Sequence, residues 1–353
     1  MIRGDGRYSG GDGGRRNGPQ VIGFLLIPDF GLLAYASAIE PLRAANTLSG
    51  RALYRWCHLS PDGGPVAASN GVTIAPDLLL QHAAAEVDAL FVCAGGKRIS
   101  FCDAATFDYL RRFGRLKRPL GGVAGGPYVL ARAGLLRGYR FTLHWEYAPA
   151  LAEEFPDLDL RRTLFEVDGD RLTCSGGTAP LDMMHAFLMR EHGPDLAMMV
   201  SDWLLQTDIR ESSRPQRMAL CHRLGVRNQP TLKAVASMEE HIEAPVSRAA
   251  LAARAGVSTR QLERLFRLHL GCTPSRYYRR LRLYQARLLV RQSGIPIVEV
   301  AVACGFASPS DFSRAYRQMF GRPPAAERAA LTCGHVASCR RDVAPDQVGT
   351  KSG

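Results

Sequence analysis

Apolar and polar positions change rhythm twice along this chain. From Val21 the apolar residues come in short unbroken runs, Val21 to Ile27, Ala89 to Cys93 and Leu120 to Ala124, each followed by a turn containing Gly, Pro or Asp. Stretches with helical spacing lie between them, Ala34 to Leu48 and Thr106 to Arg112. Short apolar runs alternating with helices predict an α/β domain with a largely parallel sheet. Ligands of such sheets sit beyond the carboxyl ends of the strands, so the turns after these runs are where chemistry is expected. Residues 163–175 predict a β-hairpin that turns at Asp168 and Gly169. Helices are expected next over about Pro180 to Arg190 and Asp195 to Thr207.

The stretch from Ile209 to Pro230 is polar and basic with two prolines, which predicts a linker. From Leu232 onward the apolar residues recur at helical spacing, and one pattern occurs twice. Leu251-Ala252-Ala253-Arg254-Ala255-Gly256-Val257-Ser258 leads into Arg260, Leu262, Arg264, Leu265 and Phe266. Val300-Ala301-Val302-Ala303-Cys304-Gly305-Phe306-Ala307-Ser308 leads into Phe312, Arg314, Ala315 and Tyr316. Each copy reads as a helix, a turn at Gly and a second helix opened by a capping Ser. Leu262, Leu265, Phe266 and His269 form the inward stripe of one second helix, and Phe312, Ala315, Tyr316 and Met319 that of the other. Ser247 is expected to cap the first helix of the first copy. Ser258 with Gln261, and Ser308 with Asp311, have the spacing of capping boxes.

Between the copies, Thr273 and Pro274 open a helix expected to reach about Gln292, a rod of about 27 Å at 1.5 Å per residue. That approaches the ~34 Å repeat of duplex DNA, so one subunit can set two recognition helices on one face of the duplex. The outward faces are then Arg260, Glu263, Arg264 and Arg267 in the first copy, and Ser310, Ser313, Arg314 and Arg317 in the second. Arg grips a guanine edge in two places or holds a phosphate, and Ser does either more weakly.

Charge agrees with this placement. The chain of 353 residues carries a net charge of +12, and residues 231–330 hold 16 Lys and Arg against 7 Asp and Glu. Most of the excess therefore coincides with the repeated motif and favours an acidic partner. The length suggests about two domains at ~150 residues each. Nine cysteines with no Cys-x-x-Cys pair fit free thiols better than a disulfide framework. Cys333, His335 and Cys339 in the tail are read as incidental, so no metal and no cofactor is expected. The Gly-rich start lacks a signal peptide's apolar run, and Val21 to Ile27 is too short to cross a bilayer, so a soluble cytoplasmic protein is expected.

At the repeated motif the sequence resembles the AraC/XylS family of transcription regulators over about residues 230–328. The run Ala303, Cys304, Gly305, Phe306, Ser308, Phe312, Ser313, Arg314, Phe320, Gly321 and Pro324 is similar to that family's signature. The resemblance implies base contacts at Arg260, Glu263 and Arg264 and at Ser310, Asp311, Ser313 and Arg314. Pro309 departs from the polar residue often found there, which makes the second unit more of a positioning element.

Residues 21–207 resemble the DJ-1/PfpI branch of the class I glutamine-amidotransferase-like fold. The resemblance rests on Glu40, on Ala94-Gly95-Gly96, and on Gly121 through Gly126 at a strand-to-helix elbow. His144-Trp145 and the run Cys174 to Asp182 complete it. Enzymes of that fold present a Cys nucleophile at the elbow, but the matching position here is Ala124. The resemblance therefore implies a pocket that binds without turnover, around Glu40, Gly95, Ala124, Gly125, His144 and Trp145.

The pairing of the two domains is similar to the GlxA-like regulators. Glu40-Pro41-Leu42-Arg43-Ala44-Ala45-Asn46 with Leu53-Tyr54-Arg55-Trp56 resembles the members that sense carnitine, glycine betaine or arginine. A cationic ligand would suit Glu40 and an aromatic such as Trp145, Tyr35 or Tyr147. Expected, then, are a disordered start over 1–19, a ligand-sensing domain over 20–208, a linker over 209–229, a DNA-binding domain over 230–330 and a disordered tail over 331–353. The expected activity is regulation of transcription, as an activator of catabolic or uptake genes under a small nitrogenous metabolite. Partners are promoter DNA, the small-molecule effector, a second copy of the chain and, as a further candidate, RNA polymerase, with no membrane. The rival reading is a DJ-1/PfpI-type hydrolase or glyoxalase with a DNA-binding tether.

Overall fold

A computed structural model describes residues 18–80, 86–96 and 101–330. The expected disordered segments 1–19 and 331–353 lie outside these residues except for Gly18 and Pro19, and so do Cys333, His335 and Cys339. The chain divides into two compact units, Met1–Ala219 and Leu220–Gly353.

The first unit opens with β1 (Gln20–Leu26), α1 (Leu32–Ser49), β2 (Tyr54–Ser60), the short strands β3 (Val66–Ala67), β4 (Thr73–Ile74) and β5 (Leu78–Leu79), then β6 (Ala89–Ala94). It continues with α2 (Ala104–Arg115), β7 (Leu120–Ala124), α3 (Gly126–Arg132), α4 (Ala148–Glu154), the hairpin strands β8 (Phe165–Asp168) and β9 (Arg171–Cys174), α5 (Ala179–His192) and α6 (Pro194–Trp203). β3 and β4 form a small antiparallel pair. The main sheet has seven strands in the order β5-β2-β1-β6-β7-β9-β8, parallel throughout except for the edge pair β8 and β9.

This is the expected largely parallel sheet, and its unbroken apolar runs follow from burial on both faces. Ile22, Phe24, Phe91 and Cys93 share one core with Ala38 and Leu42 of α1 and Met183, Met184 and Phe187 of α5. The alternate residues Leu25, Leu90 and Val92 are equally buried and point to the other side, where α3 packs on β6 and β7. Gly126 permits that packing, because a Cβ there would lie 1.9 Å from the Val92 carbonyl oxygen.

The helix expected to reach Thr207 ends at Trp203 instead. Leu205 turns with φ +56°, and Gln206 leaves the helix to donate from Nε2 to buried Asp182 at 2.9 Å. A buried carboxylate requires such partners, and this demand outweighs continued helical spacing. The segment read as a linker over 209–229 divides in two. Its first part is fastened to the first unit: Arg210 to Asp182 at 2.6 Å, Leu164 N–H to Ser212 O at 2.8 Å, and Gln216 Nε2 to Thr163 O at 2.7 Å. Its second part contains α7 (Leu220–Leu224), whose Leu220 and Leu224 pack on the core of the second unit.

The second unit is helical throughout its named elements: α8 (Gln229–Glu240), α9 (Arg248–Ala255), α10 (Thr259–Leu270), α11 (Pro274–Gln292), α12 (Ile297–Ala303) and α13 (Pro309–Phe320), with residues 324–330 also helical. Asn228 caps α8 through the Thr231 N–H, which starts this helix three residues before its first apolar position at Leu232. Ser247, Ser258, Thr273 and Ser308 cap α9, α10, α11 and α13 as their positions predict.

Candidate functional site

Two regions gather the residues that the sequence singles out, one in each unit. In the second unit, α8 to α10 close around Val235, Met238, Leu251, Ala255, Leu262 and Phe266. Around the second copy, Val300, Ala301, Cys304, Phe312, Ala315 and Tyr316 are buried. Helices α10 and α13 then show the same order of exposed, half-buried and buried positions, residue for residue, over all twelve positions. Periodicity alone turns Leu262, Leu265 and Phe266, and likewise Phe312, Ala315 and Tyr316, inward. Ser258 Oγ accepts the Gln261 N–H at 3.2 Å and Ser308 Oγ the Asp311 N–H at 3.4 Å, fixing where each helix starts. Gly256 and Gly305 take left-handed φ of +71° and +70° in the two turns. At Gly305 the turn also needs the missing side chain, since a Cβ would sit 2.6 Å from Ile242 O.

The outward face of α10 leaves Arg260, Arg264 and Arg267 exposed, with Glu263 beside them held by Arg248 at 3.1 Å. On α13 the face presents Ser310, Asp311, Ser313, Arg314 and Arg317, and Asp311 accepts from Arg314. Pro309 occupies the first turn of α13, where its fixed φ suits the helix. The spacer α11 has 19 residues, about 28 Å at 1.5 Å per residue. It is fastened to the second copy by Arg282, which donates to Gly305 O at 2.7 Å and stacks 4.6 Å from the Phe306 ring centroid. At its other end Arg287 reaches buried Glu327 at 2.8 Å, and Tyr316 donates to the same carboxylate at 3.0 Å. Sequence reading missed Arg248, Arg282 and Glu327, whose partners lie well apart along the chain.

In the first unit the carboxyl ends of β1, β6, β7 and β9 converge, as parallel topology requires. Ala124, at the end of β7, has φ +58°, a left-handed backbone rare for a residue with a side chain. Its methyl lies so near Gly176 that a Cβ there would come within 2.6 Å. His144 N–H donates to Ala124 O at 3.1 Å, and the Gly125 N–H donates to Ala94 O at 2.9 Å. The His144 ring lies 5.4 Å from that of Trp145 and 5.6 Å from that of Tyr147. Tyr147 Oη reaches Gly96 O at 3.4 Å. A Cβ on Gly95 would lie 3.5 Å from Asp29 O, which brings the turn after β1 against the turn after β6. Burial lowers the His144 pKa from its ordinary range and favours the neutral ring.

The structure thus gathers Gly95, Ala124, Gly125, His144 and Trp145 in one place. Glu40 takes a different partner, Arg43 at 2.6 Å in a half-exposed pair one helical turn away. Tyr35 lies with Phe24, Phe30 and His58, donating or accepting at His58 Nε2 over 2.6 Å. Asp29, in the turn just after the first apolar run, lies against Gly95 and Gly96, and Glu146 is a second acidic residue beside His144 and Tyr147. The thiols nearest the elbow, Cys93 and Cys174, are buried, and burial pushes both pKa values up, that of Cys174 to about 12. Trp145 is 38% exposed, and Arg217 lies over its ring at 4.3 Å from the centroid.

Comparison with known proteins gives matches to both units. The pattern of the family described as "Helix-turn-helix domain" covers residues 251–330, and that of the "DJ-1/PfpI family" covers residues 30–190. The HTH-type transcriptional regulator GlxA of Rhizobium meliloti (strain 1021) is 46% identical over 311 residues, spanning 88% of this chain and 95% of that protein. The regulator GbdR of Pseudomonas aeruginosa is 46% identical over 328 residues, 93% of this chain and 89% of that one. ArgR of Pseudomonas aeruginosa is 38% identical over 310 residues, 88% and 93% of the two chains.

Proposed function

Because this chain belongs to the HTH-type transcriptional regulators that join a DJ-1/PfpI domain to an AraC-type helix-turn-helix domain, we propose that α10 and α13 read its promoter DNA under the control of a small nitrogenous metabolite bound at the Ala124 elbow. The protein is a DNA-binding regulator of transcription. The observation that carries the assignment of readers is the matched burial of α10 and α13, which turns two equivalent faces to solvent. In the first unit of reading, Arg260, Glu263, Arg264 and Arg267 contact bases or phosphates. In the second, Ser310, Asp311 and Ser313 position the helix and Arg314 anchors it.

The pocket is made of Gly95, Ala124, Gly125, His144 and Trp145, with Asp29 supplying the negative charge for a cationic ligand. Glu40, which pairs with Arg43 in a half-exposed contact, is the further acidic candidate. Aromatic faces attract ammonium and guanidinium groups, which favours methylated amines and basic amino acids. The pocket binds without turnover: Ala124 offers no nucleophile, and burial keeps Cys93 and Cys174 protonated. The regulated genes serve uptake or breakdown of the same metabolite, and the protein activates them in the cytoplasm as a homodimer that engages RNA polymerase. No described helix is long and apolar enough to cross a membrane.

Thermal-shift screening of the full chain against amino acids, methylated amines and sugars tests the pocket. A ligand at 100 times its Kd stabilises by about 2.7 kcal/mol. Stabilisation by nitrogenous compounds that is weakened by His144→Ala or Trp145→Ala supports the assignment. Stabilisation that those variants leave untouched places the ligand elsewhere.

A further inference from the structure

The face of Trp145 that would receive a cationic effector is covered by a cation of the chain itself. Arg217 stacks 4.3 Å from the centroid of the indole ring, and its neighbour Gln216 donates from Nε2 to Thr142 Oγ1 at 3.1 Å, Leu143 O at 3.0 Å and Thr163 O at 2.7 Å. Both residues therefore grip the segment that runs from Thr142 to Trp145. The same segment is tied at His144 to the elbow, through the His144 N–H and the Ala124 carbonyl. The elbow and the strap are thus joined by consecutive residues of one short segment. The first unit ends at Ala219, two residues beyond Arg217, and the helical unit starts at Leu220.

We propose that Arg217 is an internal occupant of the effector's cation subsite, and that a methylated ammonium or guanidinium ligand takes its place on Trp145 and releases the strap. The proposal rests on the preceding assignment of the elbow as a pocket for a cationic ligand. An indole face accepts one cation at short range, so ligand and Arg217 compete for it, and such contacts correspond to a bias of about 2- to 30-fold. Displacement removes the Trp145 contact and loosens the segment, in which Gln216 still bonds the 142–143 stretch and Arg214 still holds Asp208 at 2.6 Å and Glu211 O at 3.1 Å. Fully extended, residues 213–219 span up to about 23 Å at ~3.3 Å per residue. The ligand shifts the equilibrium because it binds the released state better than the strapped one.

Amide hydrogen exchange in the full chain tests this, with tetramethylammonium chloride as the probe and sodium chloride at equal ionic strength as the control. In the wild type the probe is expected to speed exchange over 213–219 by about 2- to 30-fold. Arg217→Gln is expected to do the same with no probe, Arg217→Lys to fall between, and Trp145→Ala to abolish the response to the probe. Exchange in β1 and β6 reports whether any variant disturbs the fold. Unchanged exchange over 213–219 in Arg217→Gln overturns the latch whatever the ligand does. Protection around His144 and Trp145 by the probe, with 213–219 unaffected, overturns displacement while leaving the pocket assignment standing.

Discussion

Replacing Arg264 with Ala is the sharpest test of which side chains read DNA. Arg264 is exposed on α10, and among the described residues no hydrogen bond or ion pair holds it, so the substitution leaves the fold intact. If its guanidinium grips a base edge, the loss is about 1–3 kcal/mol, a rise in Kd of about 5- to 160-fold. Arg314, the counterpart fifty positions later, starts from a different state because Asp311 already accepts from it. That pair is exposed at both ends, 75% and 56%, and such pairs are worth at most about 1 kcal/mol. Binding DNA through Arg314 must first loosen this contact, so Arg314→Ala is expected to cost up to about fivefold less than Arg264→Ala. Fluorescence anisotropy with a labelled promoter duplex, at several fixed salt concentrations, measures both. A phosphate contact shows itself by a salt slope lowered by about one and a uniform loss over all sequences, a base contact by a loss confined to the specific site. The double variant within twofold of wild type would refute the assignment of both helices, and a larger loss at Arg314 would refute the asymmetry between them.

Further consequences follow from single residues. Ser258→Ala and Ser308→Ala each remove a cap and are expected to cost about 1 kcal/mol, read as a lower denaturant midpoint. Gly126→Ala drives a methyl into the Val92 carbonyl at 1.9 Å and is expected to leave the first unit unable to fold, seen as loss of soluble protein. Burial lowers the pKa of His144, His185 and His192, so the unfolded chain takes up more protons than the folded one below the ordinary histidine value near 6.5. Stability is therefore expected to hold above that pH and to fall as the pH drops from 6.5 through the lowered folded values, measured as Tm between pH 7.5 and 5.5. Ala124→Cys is expected to gain no turnover of an amide or a glyoxal substrate in a product-release assay, and measurable turnover would revive the hydrolase or glyoxalase reading.

The second unit was legible almost to the residue because its signals are local. Ser247, Ser258, Thr273 and Ser308 cap the helices they precede, and Gly256 and Gly305 take the left-handed turns that their positions imply. The parallel sheet was legible as a class, since strands buried on both faces are nearly continuous in apolar residues. Long-range partners were not. Residues 209–219 are polar and contain Pro215, the local signature of a linker, yet Arg210 completes a buried carboxylate and Gln216 bonds a segment more than seventy residues away. A hydrogen bond of that kind leaves no periodicity to find. Glu40 was singled out through resemblance alone, and the structure pairs it with Arg43 three residues on.

The elbow keeps a strained backbone at a residue that carries no nucleophile, Ala124 with φ +58°. A left-handed φ at a residue with a side chain costs about 1–3 kcal/mol and persists only where its surroundings fix it. Around Ala124 they do, through Gly126 under the Val92 carbonyl, Gly176 against the Ala124 methyl, and the His144 N–H on the Ala124 carbonyl. In a hydrolase this strain serves to expose a nucleophile, and the N–H of the residue after it polarises the substrate carbonyl. Here the nucleophile is a methyl group and that next N–H, of Gly125, is already donated to Ala94 O at 2.9 Å. On this geometry the Ala124→Cys substitution is expected to gain no acyl turnover. What the strained turn still does is accept the His144 N–H at 3.1 Å, on a segment that Gln216 and Arg217 contact through Thr142, Leu143 and Trp145.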